Sequence, residues 1–293
     1  MVTVNFNAGP LLTEAVRAVL ASTEPVEVIV VDNGSSDDSL RRLRAAVGSD
    51  PRLRIEEMGT NLGFARASNH GLALARGEWL LLLNPDCVVD AETVGAVRAA
   101  LEARPQAGVA GGLLLNEDGS EQAGCRRSVP TPGRAFMRAF GLSRLLRGAG
   151  RRGRDFVLAG EPLPAEPAEV EAISGAFMMV GREALSAVGA LDEGYFMHCE
   201  DLDWCMRFRQ AGRGVLFVPA ARAVHYKGTC SKGRPVRVLW HMHRGMLRFY
   251  GKFFRDRYPG PLMWLVTAGV ALRFSALASL AVVRGARTRL LPR

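Results

Sequence analysis

Four clusters in this 293-residue chain carry side chains suited to handling a charged, oxygen-rich substrate. The first is Asn84-Pro85-Asp86, directly after the apolar run Trp79-Leu80-Leu81-Leu82-Leu83. Proline cannot donate to a β-ladder, so a strand ends there and Asp86 falls at its carboxyl end. A carboxylate at that edge suits a Mg²⁺ or Mn²⁺ ion holding a substrate diphosphate, because hard cations take oxygen ligands. A strand-ending turn with a solvated aspartate explains the same three residues. The second cluster is Asp32-Asn33-Gly34-Ser35-Ser36-Asp37, after the β-branched run Val28-Ile29-Val30-Val31. Asp32 is placed to accept from the imide N–H of a pyrimidine or from a ribose hydroxyl, and Gly34 permits close approach. Helix capping accounts for Ser35 or Asp37 but not for Asp32-Asn33.

The third cluster, Glu200-Asp201-Leu202-Asp203, opens a helix after the aromatic loop Tyr195-Phe196-Met197-His198-Cys199. Negative charge suits a helix N-terminus, and an ionised carboxylate beside a bound acceptor can serve as general base. A capping cluster with Trp204 in the core covers Asp203 but not the adjoining Glu200 and Asp201. The fourth is His225 at a strand end, followed by a glycine-rich loop that carries Lys232. The histidine suits a metal ligand and the loop suits closure on a diphosphate, although a lone histidine is more often structural. A weaker signal is Asn61-Leu62-Gly63-Phe64-Ala65-Arg66, a glycine turn into a helix whose N-terminus would attract phosphate, with Arg66 in its first turn. Asn69 and His70 read as packing or capping residues.

These clusters work together only if the intervening elements bring them to one edge. Strand patterns at Val2–Asn5, Val26–Val31, Leu53–Glu56, Trp79–Leu83 and Gly108–Leu113 alternate with helix patterns at Pro10–Ala21, Asp37–Val47, Phe64–Arg76 and Ala91–Ala103. Repeated βα units of this length predict an α/β fold with a mostly parallel, doubly wound sheet. From Asn116 to about Glu169 the pattern fades into an Arg-, Gly- and Pro-rich excursion with one amphipathic helix near Arg134–Leu146. Order returns with a strand at Ala172–Val180, helices at Arg182–Val188 and Glu200–Ala211, and a strand at Val215–Val218. Beyond Arg234 the chain reads as helical and basic.

Lys plus Arg number 38 against 29 for Asp plus Glu, a net charge of +9 that suggests an anionic partner. Nucleic acid is not expected, because no recognised helix or zinc module is present and aromatic content is 7%. Five cysteines without CxxC spacing fit a reducing cytosol and give no structural zinc signature. The opening residues enter a strand at once and show no secretory pattern. Leu262–Val283 is apolar and long enough to span a bilayer, but Arg273 lies at its centre. A central arginine costs at least roughly 2.5–3.5 kcal/mol on insertion scales. With Arg255, Arg257, Arg284, Arg287 and Arg289 flanking it, a helix lying in the interface of an anionic membrane is expected rather than a clean span. Packing against the domain or a second subunit is the alternative.

Taken in order, the blocks VTVNFN, VVDNGSSDDS, NLGFARASNHG, LLLLNPDCVV, SGAFMMV, LDEGYFMHCEDLDWCMR and VPAARAVHYKG resemble family 2 glycosyltransferases of the GT-A fold, especially bacterial rhamnosyltransferase-like members. The resemblance runs from Val2 to about Lys232. It implies a Rossmann-like, mostly parallel central sheet flanked by helices. Residues 1–234 would form the catalytic domain, with 1–115 binding the nucleotide-sugar and 170–234 serving acceptor and catalysis. Residues 235–293 would be a helical, membrane-associating extension.

By the same resemblance, Asp32 holds the nucleotide base, with Asn5 and Asn7 at the neighbouring strand end. Asn33, Asn61, Gly63, Arg66, Asn84 and Lys232 complete the donor site. Asp86 and His225 hold Mg²⁺ or Mn²⁺. Asp201 is the catalytic base with Glu200 beside it, and Gly175 and Ala176 lie on the acceptor side. Asn84 stands where the family's metal motif has its first aspartate, which leaves Asp86 as the motif's only carboxylate.

The implied activity is inverting transfer of rhamnose or a similar sugar from a dTDP- or UDP-sugar to a hydroxyl of a saccharide or lipid-linked acceptor. That places it in cell-envelope polysaccharide synthesis at the inner face of the membrane, with homo-oligomerisation open. A polyprenyl-phosphate glycosyltransferase and a non-catalytic basic membrane-surface protein are the alternatives. The extended Glu200-Asp201-Leu202-Asp203-Trp204 block favours a hydroxyl acceptor.

Overall fold

The computed structural model describes residues 1–139, 158–226 and 235–290. Lys232, with its glycine-rich loop, and the part of the expected amphipathic helix beyond residue 139 lie outside the described residues. The strands are β1 (Val2–Asn5), β2 (Val28–Asp32), β3 (Leu53–Glu57), β4 (Trp79–Leu83), β5 (Cys87–Val89), β6 (Ala107–Leu115), β7 (Arg126–Arg127), β8 (Ala168–Glu169), β9 (Ala172–Ile173), β10 (Phe177–Gly181) and β11 (Gly214–His225). The helices are α1 (Leu11–Leu20), α2 (Ser39–Val47), α3 (Phe64–Leu74), α4 (Thr93–Glu102), α5 (Pro132–Ala139), α6 (Arg182–Val188), α7 (Glu200–Gln210), α8 (Pro235–Phe254) and α9 (Gly260–Leu290). They divide into two compact units. One takes residues 1–129, 158–194 and 200–226; the other takes 130–139, 195–199 and 235–290.

The first unit is built on a sheet of order β3-β2-β1-β4-β10-β6-β11-β5, with β8 also paired to β11. The pairs β1–β2, β1–β4, β2–β3 and β6–β11 are parallel. Val28–Val31 and Leu80–Leu83 are all buried, as befits central strands covered by helices on both faces. In α1, Leu12, Ala15, Val16 and Val19 recur at helical spacing and are buried in the same way.

Three features depart from the expected pattern. The run read as one strand from Ala172 to Val180 is two. It breaks at Ser174-Gly175-Ala176, where the Phe177 N–H turns back to the Ser174 carbonyl at 3.2 Å. β9 then pairs with β7 in a separate small sheet, while β10 inserts antiparallel between β4 and β6. The short β5 carried no sequence signal of its own; β11 recruits it, antiparallel, with His225 opposite Cys87.

β11 also runs past its expected end. Between Val218 and Arg222 it advances four residues while its β6 partner moves one, from Gly112 to Leu113. Pro219 sits in this bulge, where a missing N–H costs no ladder bond. Gly112 lets the bulge close, since a Cβ there would lie 2.4 Å from the Ala221 carbonyl oxygen.

In the second unit, α8 and α9 meet edge-on through Trp240 and Phe274, with ring centroids 5.6 Å apart. Phe196 stacks on His241 at 4.0 Å, and the Arg248 guanidinium lies over the Tyr195 ring. Residues Gly260–Arg284 of α9 are long and apolar enough to cross a membrane. Trp264 is 81% exposed and Leu272 72%. Arg273 sits partway along the helix and contacts the Met246 sulfur.

Candidate functional site

β4 ends at Leu83, and the next three residues form the metal-binding candidate. The Asn84 N–H donates to the Ala176 carbonyl at 2.9 Å, and the Asn84 carbonyl accepts from the Cys87 N–H at 3.1 Å. The chain therefore doubles back into β5 with Asp86 at the corner. The Tyr226 N–H donates to the Asp86 carbonyl at 2.9 Å, which brings the end of β11 alongside. His225 Nε2 lies 3.3 Å from Asp86 Oδ1 and 3.5 Å from Asn84 Nδ2. Both Asp86 and His225 are buried, and Asp86 Oδ1 has no hydrogen-bond partner among the described residues.

Asp86, Cys87 and His225 each offer a ligand atom, all within 4.8 Å of one another. The Cys87 thiol is directed at the Ala176 carbonyl, 3.6 Å away. The Asp86 oxygen and the His225 imidazole nitrogen form a donor pair that fits a divalent cation.

The acid pair opens α7. Asp201 is held by the Arg127 guanidinium, by the Gly175 N–H at 3.0 Å and by the Leu202 N–H at 2.7 Å. Burial opposes its ionisation, but the Arg127 charge and these hydrogen bonds outweigh it and keep the carboxyl below its usual range. Glu200 is its opposite. Burial, then the neighbouring Asp201 charge, push its carboxyl up to about 8. Its Oε2 has no hydrogen-bond partner among the described residues. One acid is thus stabilised as the anion and the other as the neutral form. His198 and Cys199, immediately before the pair, both take left-handed backbone with φ of 65° and 70°. That conformation is costly outside glycine and marks a tightly specified entry to the helix.

The metal-binding candidate and the acid pair meet in one turn. Within Ser174-Gly175-Ala176, the Ala176 carbonyl accepts from Asn84 while the Gly175 N–H donates to Asp201. The two residues expected on the acceptor side are the hinge between the two sites.

In the cluster expected to receive the nucleotide, Asp32 is buried at the end of β2. Its Oδ1 accepts from Asn5 Nδ2 at 2.8 Å and its Oδ2 from the Ser35 N–H at 3.0 Å. The Asn5 amide also reaches Ser39 Oγ at 2.8 Å. Asn7 Oδ1 accepts from the Ser36 and Asp37 N–H groups. Both asparagines therefore orient the Asp32 loop. Asn33 ties that loop to the next: its Nδ2 donates to Asn61 Oδ1 at 3.1 Å, and its Oδ1 accepts from the Leu62 N–H at 2.9 Å. Gly63, with φ of 91°, makes the turn into α3 that other residues resist. Arg66 is exposed in the first turn of α3, 3.5 Å from Glu193. Asn69 brackets the Leu191 backbone in both directions, a packing role as expected.

Gln122 and Arg127 had no place in the sequence reading. Both lie in the segment read as a variable excursion, where an isolated amide and one arginine among many give no pattern. Gln122 Oε1 lies 2.6 Å from His225 Nδ1, while Arg127 holds Asp201 and the Ile173 carbonyl.

Comparisons with known proteins bear on the family and the fold. The family model for glycosyl transferase family 2 matches residues 1–149. The chain is 30% identical over 304 residues to the N-acetylglucosaminyl-diphospho-decaprenol L-rhamnosyltransferase of Mycobacterium tuberculosis, covering 99% of this chain and 96% of that one. It is 44% identical over 57 residues to the rhamnosyltransferase WbbL of Escherichia coli, covering 20% and 22% of the two chains.

Among solved structures, it is similar to a Pyrobaculum calidifontis mannosyltransferase in complex with GDP-Man and Mn²⁺. The TM-score is 0.57 at 17% identity, over 100% of this chain and 75% of that one. It is also similar to GalNAc-T7 with UDP, GalNAc and Mn²⁺, with a TM-score of 0.62 at 18% identity over 87% and 48% of the two chains. The fold is of the GT-A type, and of the expected classes an enzyme is shown rather than a binding module. With a matching family model and a relative aligned along nearly its whole length, the chain belongs to glycosyltransferase family 2.

Proposed function

We propose that this protein transfers L-rhamnose, with inversion, from a dTDP- or UDP-linked donor to a hydroxyl of a lipid-linked saccharide in cell-envelope synthesis. An N-acetylglucosaminyl polyprenyl diphosphate is the acceptor of choice. The sugar and acceptor follow the name of the relative aligned along nearly its full length. The observation that carries the mechanism is the Gly175-Ala176 turn, which touches the Asp86 loop on one side and Asp201 on the other.

In this reading Asp32, buttressed by Asn5 and Ser35, receives the base, and the Asn33–Gly63 loop shapes the donor site. Asp86 and His225 would hold the divalent cation, and Lys232 would approach the diphosphate. When bound, the cation neutralises charge on the departing diphosphate. Asp201, kept ionised by Arg127, accepts the proton of the acceptor hydroxyl as that oxygen bonds to the anomeric carbon and the diphosphate leaves with the bonding pair. Glu200, kept neutral, spares the site a second negative charge. Holding both substrates in one cleft supplies the entropic part of the rate.

The exposed apolar face of α9 supports docking at the cytoplasmic face of an anionic membrane, where a lipid-linked acceptor resides.

The direct test is Asp201→Asn. General-base catalysis contributes about 10²–10⁴-fold, so transfer should fall by that factor while affinity for the nucleoside diphosphate stays within a few-fold. Full turnover in this variant would overturn the assignment of the base.

A further inference from the structure

We propose that Gln122 is a positioning residue that fixes His225 in the Nδ1–H tautomer and so keeps Nε2 as a lone-pair donor beside Asp86. The inference rests on the metal-site reading above. Gln122 Nε2 lies 3.1 Å from the His225 carbonyl and 3.1 Å from Asn116 Oδ1. A backbone carbonyl can only accept, so the nitrogen of the Gln122 amide must face it. The amide oxygen then faces His225 Nδ1 at 2.6 Å, and an oxygen there can only accept. The proton therefore sits on Nδ1, and a neutral ring so held has its lone pair at Nε2.

That lone pair faces Asp86 Oδ1, itself buried and lacking a hydrogen-bond partner among the described residues. In the neutral ring, Nε2 and the Asp86 carboxylate are two acceptors 3.3 Å apart, with only the Asn84 amide 3.5 Å from Nε2, an arrangement that suits a cation. Gln122 also grips His225 at two points, side chain and main chain, so ring orientation is fixed together with tautomer. Asn116 in turn is anchored by Ser120, its Nδ2 donating to Ser120 Oγ at 2.9 Å. Outer partners of this kind are worth about 10–100-fold in metal affinity.

The test compares full-length wild type, Gln122→Met and His225→Ala. Nitrogen-15 spectra of histidine-labelled, metal-free protein at about pH 8, where an ordinary imidazole is neutral, report the tautomer. Wild-type His225 should carry its proton on Nδ1, and Gln122→Met should lose that preference while the protein remains folded. Titration with Mn²⁺ in the presence of dTDP should show an affinity loss of about 10–100-fold in Gln122→Met and a larger loss in His225→Ala. If His225→Ala binds Mn²⁺ like wild type, the metal reading fails and this inference with it. If His225→Ala loses Mn²⁺ while Gln122→Met keeps both tautomer and affinity, the inference alone is overturned.

Discussion

Glu200 and Asp201 are adjacent in the chain, yet their surroundings drive them to opposite charge states. Arg127 and the Gly175 N–H stabilise the Asp201 anion, whereas Glu200 meets burial and a neighbouring negative charge. This split has a consequence for stability. Unfolded, Glu200 titrates near its ordinary 4.5; folded, it holds its proton up to about 8. Within that window the folded state binds one more proton than the unfolded state, so stability falls as pH rises. The contribution is fully present below the lower value and lost through the upper one. Glu200→Gln removes the titration. Thermal unfolding of wild type should therefore decline more steeply between about pH 5 and pH 8 than that of the variant. Parallel declines would show that Glu200 is not held neutral.

The elements explain how distant residues converge. β4 ends at Leu83, two residues before Pro85, and Asp86 follows at the corner. His225 reaches the same corner only because β11 bulges after Val218, leaves its first register with β6 and recruits β5. Gly112 admits that bulge. Gly112→Ala would force its Cβ against the Ala221 carbonyl and the Phe177 ring. Overpacking of this kind costs about 1–3 kcal/mol, read from urea unfolding, and Mn²⁺ affinity should fall with it. A variant of unchanged stability and metal affinity would refute the role of the bulge.

The parallel strands and amphipathic helices were legible because each repeats a local pattern over many residues. The two-residue strands β7 and β8 were not, and β9 was read only as part of one longer strand, because so short a pairing is decided by the partner rather than by the segment. Gln122 and Arg127 were hidden for the same reason.

At the scale of the whole chain, α9 exposes Trp264, Leu265, Leu272 and Leu280 along a helix without a single acidic residue. Arginines 255, 257 and 284 bracket it. An apolar face with a cationic margin suits the headgroup region of an anionic bilayer. The full chain should float with vesicles rich in anionic lipid, and less so at high salt. Burying a large apolar side chain is worth about 1.5–3 kcal/mol, so Trp264→Glu combined with Leu272→Glu should reduce vesicle binding by at least about tenfold. Unchanged flotation, or self-association in place of vesicle binding, would overturn membrane docking.

The sequence by itself determined the α/β alternation, the strand end at Asp32 and the one just before Asp86, the helix that opens on Glu200 and Asp201, and the family. Each is written in contiguous residues whose types have local consequences: proline stops a ladder, β-branched runs extend, and acids favour a helix N-terminus. Only the tertiary structure decided which groups meet. It put Gln122 against His225 across 103 positions of chain and Arg127 against Asp201 across 74. The tautomer proposed for the imidazole and the unlike charge states of two neighbouring acids, one anionic and one neutral, follow from those contacts. A side chain's ionisation and tautomer depend on what surrounds it in space, and that surrounding exists only once the chain has folded.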